Sequence, residues 1–83
     1  MVYKEIQNTA QDVDGINKLF TEVMQKHGGK NDAWLSFFLH VAPPVISKMR
    51  NGKLPMGPSM MLRLHEIGGL EIAHIRKMLE VTK

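Results

Sequence analysis

Between Asp12 and His27 the apolar residues Val13, Ile16, Leu19, Phe20, Val23 and Met24 recur at i, i+3, i+4 and i+7, the spacing of a helix with one buried stripe. Asp12 and Asp14 suit the positive end of that helix, and Gly28-Gly29 stops it. Residues 1–11 read as an extended or frayed arm, with Thr9 or Asp12 as the helix cap. A second, shorter helix runs from a cap at Asn31 or Asp32 to about Leu39, with Leu35 and Leu39 on one face. His40, Val41 and Ala42 then lead to Pro43-Pro44. From Pro43 to about Asn51 the residues Val45, Ile46 and Met49 mark a third helix, with Asn51-Gly52 as a left-handed stop. Met60, Met61, Leu64 and Ile67 give a fourth after Pro58, closed by Gly68-Gly69, and Ile72, Ile75, Met78 and Leu79 give a fifth. The pattern predicts an all-α chain: one compact five-helix bundle over residues 12–83, preceded by the arm.

Two prolines at the mouth of the third helix are compatible with helix. The first N–H groups of a helix have no partner inside it, so Pro43 and Pro44 forfeit no internal hydrogen bonds and fix φ. A residue before proline is pushed from helical ψ, so the helix is expected to start effectively at Pro44.

At 83 residues the chain has room for one core, and with no cysteine it must fold on packing alone, which suits a reducing cytoplasm. No window approaches the ~18 consecutive apolar residues of a membrane span, so no membrane association is expected. The net charge of +3 is unevenly spread. Residues 33–65 carry Lys48, Arg50, Lys53 and Arg63 with no acid, whereas residues 1–32 sum to minus one and residues 66–83 to zero. A local excess of this kind suits a polyanion such as nucleic acid, and suits equally a solvated face with no partner.

The second and third helices, both short and three residues apart, have the spacing of a helix-turn-helix, whose second member enters the DNA major groove. The stretch "NDAWLSFFLHVAPPVISKMRNGKLP", above all "VISKMRNGKLP" with its Asn-Gly exit, resembles the lambdoid phage repressor and Cro family of DNA-binding domains over about residues 12–80. Leu35, Val41, Ile46 and Met49 fall where that family places buried framework residues. The resemblance implies a lambda-repressor-like bundle and a transcriptional regulator of phage or prophage repressor, Cro or antitoxin type. Such a protein binds double-stranded DNA as a homodimer on a two-fold operator. It also implies positive φ at His40, where the family usually has glycine, at a cost on the order of 1 kcal/mol. Ala42 stands where a Ser, Thr or Asp cap is usual, and Ser36 where a small alanine lets the two helices approach.

On this reading Pro43, Pro44, Ser47 and Lys48 face the bases. The proline tip has no donors and would fit a thymine methyl, while Lys48 corresponds to a base-contacting position and can donate to guanine O6 and N7. Asn31, Arg50, Asn51 and Lys53 look like phosphate-facing positions that set register.

Other chemistry is sparse. His27, His40, His65 and His74 have no i, i+4 pairing and no cysteine company, so neither a metal nor a cofactor is expected. No serine lies in a nucleophile elbow and no Gly-rich phosphate loop exists, which points away from an enzyme. Three of the five aromatic residues, however, sit on the second helix. If Leu35, Ser36 and Leu39 face the core, Trp34 and Phe37 project outward and Phe38 lies at the flank. Such a cluster marks an interface: the arm with Val2, Tyr3 and Ile6, a second protomer, or a protein partner could cover it. The alternative function is therefore a protein-interaction module using this patch.

Overall fold

A computed structural model describes residues 12–80. Five helices follow in order: α1 Val13–His27, α2 Asp32–Leu39, α3 Pro43–Arg50, α4 Pro58–Glu66 and α5 Ile72–Leu79. The described residues contain no strand. The arm expected at residues 1–11, and its cover of the aromatic cluster, lie outside them.

The helix ends follow from local chemistry. Asp12 caps α1, its carboxylate accepting from the Asp14 N–H at 3.0 Å, and Asn31 caps α2 by accepting from the Trp34 N–H at 2.8 Å. Ala42 offers α3 no side-chain cap. There α3 begins at Pro43, one residue earlier than the steric rule for X-Pro suggests. Val45, the first residue in it with an N–H, bonds back to the Ala42 carbonyl at 2.9 Å, and burial of Ile46 and Met49 holds the turn.

At the far end of α3 the left-handed residue is Gly52, φ 73°, rather than Asn51, φ −99°. Gly52 N–H donates to Met49 O and Lys53 N–H to Lys48 O, the paired bonds of a Schellman motif. The end of α2 repeats this pattern around His40, with His40 N–H on Phe37 O and Val41 N–H on Ser36 O.

The core draws Ile16, Leu19, Phe20 and Val23 from α1, Leu35 and Leu39 from α2, Ile46 and Met49 from α3, and Met60, Leu64, Ile75 and Leu79 from α4 and α5. Val13, placed on the α1 stripe by spacing, is exposed because it opens the helix ahead of the first packed turn. Close docking of α5 on α1 depends on Gly15: a Cβ there would stand 1.8 Å from the Met78 carbonyl oxygen. Just before it, Asp12 N–H donates to Leu79 O at 3.0 Å. No described helix is long and apolar enough to cross a membrane.

Candidate nucleic-acid interface

The α2–α3 pair is joined by His40, Val41 and Ala42, and the direction change falls on His40, at φ 61° and ψ 45°. Behind this turn, Leu35, Ser36, Leu39, Ile46 and Met49 are buried. Val41 and Val45 pack partly against the core. With Ile46 and Met49 inward, the helical period turns Pro44, Ser47, Lys48 and Asn51 outward along one face, and all four are exposed, as is Pro43. The proline tip thus presents ring carbons and no backbone donors, followed one turn later by a hydroxyl and an ammonium.

The backbones of Lys48 and Lys53 are brought together by the Schellman motif, which makes the third helical residue from the end and the third residue past it neighbours. Both lysines are exposed. Asn51 spends one amide N–H on the Ser47 carbonyl at 2.8 Å, leaving its second N–H and its oxygen outward. Asn31 is exposed, with its oxygen committed to the α2 cap.

Arg50 departs from its expected phosphate-facing role. Its Nε lies 3.1 and 2.9 Å from the two carboxylate oxygens of Asp32, and Nη2 donates to Oδ1 at 2.9 Å. Nη1 donates to Asn17 Oδ1, and the guanidinium carbon sits 5.2 Å from the centroid of the Phe20 ring. The Arg50 side chain is only 22% exposed. Helical spacing put Arg50 on the flank of α3, and the flank faces α1 and α2 rather than solvent. Arg63 is likewise engaged: its Nη1 donates to Leu39 O at 3.1 Å and to His40 O at 3.3 Å, capping the end of α2 from α4. Of the four cations between residues 33 and 65, the two lysines stand clear and the two arginines are used internally.

The aromatic cluster also divides. Trp34 is half-buried, not outward: it stacks on Phe38 with ring centroids 4.6 Å apart and an interplanar angle of 13°. Its ring occupies the space beside Gly29, where a Cβ would come within 2.1 Å of the indole. Phe38 in turn meets the His27 ring at 4.7 Å, and His27 Nε2–H donates to Gly68 O at 2.7 Å. The loop after α1 therefore folds under the indole and covers it. Phe37 alone remains outward, at 80% exposure.

Sequence reasoning missed Asn17, Asp32 and the inward role of Arg63. Asp32 sits one residue before the acid-free stretch and 18 residues from Arg50, so no local pattern pairs them. Elsewhere, Glu22 and His74 meet at 2.7 Å beside an open groove between α1 and α5. The described residues place no three His, Cys, Asp or Glu side chains to hold a metal ion. No protein-family model, curated protein or solved structure matches the chain.

Proposed function

We propose that the chain is a small sequence-specific DNA-binding transcriptional regulator of the repressor, Cro or antitoxin type. In this reading it has a lambda-repressor-like arrangement in which α2, the His40 turn and α3 form a helix-turn-helix. The observation that carries it is the two-sidedness of α3. Ile46 and Met49 anchor one side in the core, while Pro43, Pro44, Ser47 and Lys48 form an exposed edge free of acids. A rigid helix held from behind, with its polar edge outward, is what insertion into a major groove requires.

Pro43 and Pro44 supply an apolar edge suited to a thymine methyl, and Ser47 and Lys48 supply donors for base edges. Lys53, Asn31 and Asn51 contact phosphates and set register. Arg50 leaves that set because of its bonds to Asp32 and Asn17. The protein acts in the cytoplasm as a homodimer on a two-fold operator, with half-sites roughly 34 Å apart.

The test is a titration of the purified chain against a selected duplex and random duplexes across a series of salt concentrations. Lys53, the one phosphate-facing cation per protomer in this reading, neutralises two phosphates in a dimer, so log affinity falls against log salt with a slope of about −1.8, at about −0.9 for each phosphate. Lys48→Ala relaxes base preference by about 1 to 3 kcal/mol, and Lys53→Ala weakens all sequences alike. No binding near ~50 mM salt removes the DNA reading. Exposure of Phe37 favours a second reading, a protein-interaction module, with Phe37 as the contact rather than the Trp34, Phe37 and Phe38 patch as a whole.

A further inference from the structure

Asp32 opens α2 and Arg50 closes α3, so their ion pair joins the two ends of the helix pair that lie farthest from the His40 turn. Two helices connected at a turn keep one soft coordinate, the angle between them. A contact at the far ends removes it. Asn17 of α1 reinforces the contact on two atoms, accepting from Arg50 Nη1 through Oδ1 and donating to the Arg50 backbone carbonyl through Nδ2 at 3.3 Å. The Phe20 ring supports the guanidinium from the same helix. Three of the five guanidinium N–H groups are thereby occupied in a plane fixed by α1 and α2.

Charge gives this arrangement a second consequence. Arg50 lies between Lys48 and Lys53 in sequence, and an unpaired arginine there would be a third cation for any nearby phosphate. Nonspecific affinity for DNA grows with each such cation and carries no sequence information, whereas base readout depends on the angle at which the recognition helix enters the groove.

Resting on the DNA-binding reading above, we propose that Asp32 is a specificity-determining positioning residue. Its carboxylate holds the Arg50 guanidinium away from the phosphate backbone and fixes the angle of α3. It thus lowers attraction to random sequence while it preserves readout of the operator.

The experiment uses the full chain, a 20-base-pair duplex selected by the parent protein from a random pool, and a shuffled duplex of the same composition. Asp32→Asn keeps the side-chain volume at a side chain that is 48% exposed, so it opens no cavity in the core, and ellipticity at 222 nm checks that the variant is folded. It is expected to bind the shuffled duplex about fivefold more tightly near ~100 mM salt, with a salt slope steeper by about 0.9 per protomer as Arg50 reaches a phosphate. Affinity for the selected duplex does not rise with it, so the ratio of selected to shuffled affinity falls about fivefold or more.

Arg50→Lys keeps the charge and loses the planar fork, and is expected to lower the same ratio. A merely destabilised protein would lose affinity for both duplexes in parallel, without a steeper slope. That outcome overturns the proposal. So does a parallel rise on both duplexes, which would make Asp32 only a nearby negative charge, and so does no change on either. Failure of the parent chain to retain any duplex from the pool is a different result: it overturns the DNA-binding reading itself.

Discussion

Replacement of His40 tests the turn on which the α2–α3 geometry depends. Among the described residues His40 is the one non-glycine at positive φ. For an L-residue the left-handed region costs roughly 1 to 2 kcal/mol through the approach of Cβ to the following carbonyl, with histidine toward the lower end. His40→Gly removes that cost, about 1 kcal/mol here, but frees the unfolded chain, which offsets roughly 0.4 to 1 kcal/mol. The ring itself is exposed, so little packing is lost. The bonds that close the turn are all to backbone atoms: His40 N–H to Phe37 O, Val41 N–H to Ser36 O, and Arg63 Nη1 to Leu39 O and His40 O. They survive the substitution. The net expectation is a gain of up to about 0.5 kcal/mol, or about 2 to 4 °C in midpoint for a domain of this size. His40→Val adds a β-branched clash and loses about 1 kcal/mol, some 4 to 8 °C. Thermal and urea unfolding followed by ellipticity at 222 nm, with the Trp34 emission as a second probe, read both. A glycine variant no more stable than the valine variant would refute a left-handed turn at this position.

Gly15→Ala inverts a helix rule. Alanine inside α1 would ordinarily gain about 1 kcal/mol, but its Cβ must move from 1.8 Å to at least 3.0 Å from the Met78 carbonyl. Displacing α5 strains a packed contact and the Asp12–Leu79 bond, so urea unfolding should show a net loss of about 1 to 2 kcal/mol. Thr21→Ala, exposed on the same helix, should instead gain a few tenths, about 0.5 kcal/mol at most. The aromatic residues should separate as their burial does. Trp34→Ala loses about 2 to 3 kcal/mol by emptying the space over Gly29, and Phe37→Ser stays within about 0.5 kcal/mol. If Phe37 is a contact for a second copy or another protein, sedimentation of Phe37→Ser shifts toward monomer while its unfolding curve stays put.

The positions of all five helices were legible because their stops and starts are written in single residues. Gly28, Asn31, the paired prolines, Gly52 and Gly68-Gly69 act within a turn of where they stand. The left-handed turn at His40 was legible through the family resemblance. Trp34 was misplaced for a geometric reason. Projection at 100° per residue treats α2 as an isolated cylinder, whereas the glycine before its cap lets the preceding loop approach and roof the indole. Phe37, with no such glycine near it, points where the projection put it. Arg50 was misplaced because charge counted along the chain cannot register a carboxylate that arrives through the fold.

The four cations of residues 33–65 divide by chemical type, and the division has a physical basis. Both arginines turn inward, Arg50 to a carboxylate, an amide and a ring face, Arg63 to two carbonyls at the end of α2. A planar guanidinium with donors in fixed directions can satisfy several acceptors at once and is weakly enough hydrated to sit partly buried, whereas an ammonium is a strongly hydrated point charge that stays in water. The lysines accordingly remain at the surface. Arg63 also accounts for how the α2–α3 connection tolerates a histidine at positive φ and an alanine where a capping side chain would help, since it ties the turn's carbonyls to α4. The helix pair is therefore clasped at the turn by Arg63 and at its open end by Arg50. A sum of Lys plus Arg overstates the charge available to a polyanion at this face about twofold, four cations against two. In the DNA-binding function proposed above, affinity would therefore draw correspondingly more on fit, on the direction in which α3 is held, and on the joining of two such faces in the proposed dimer.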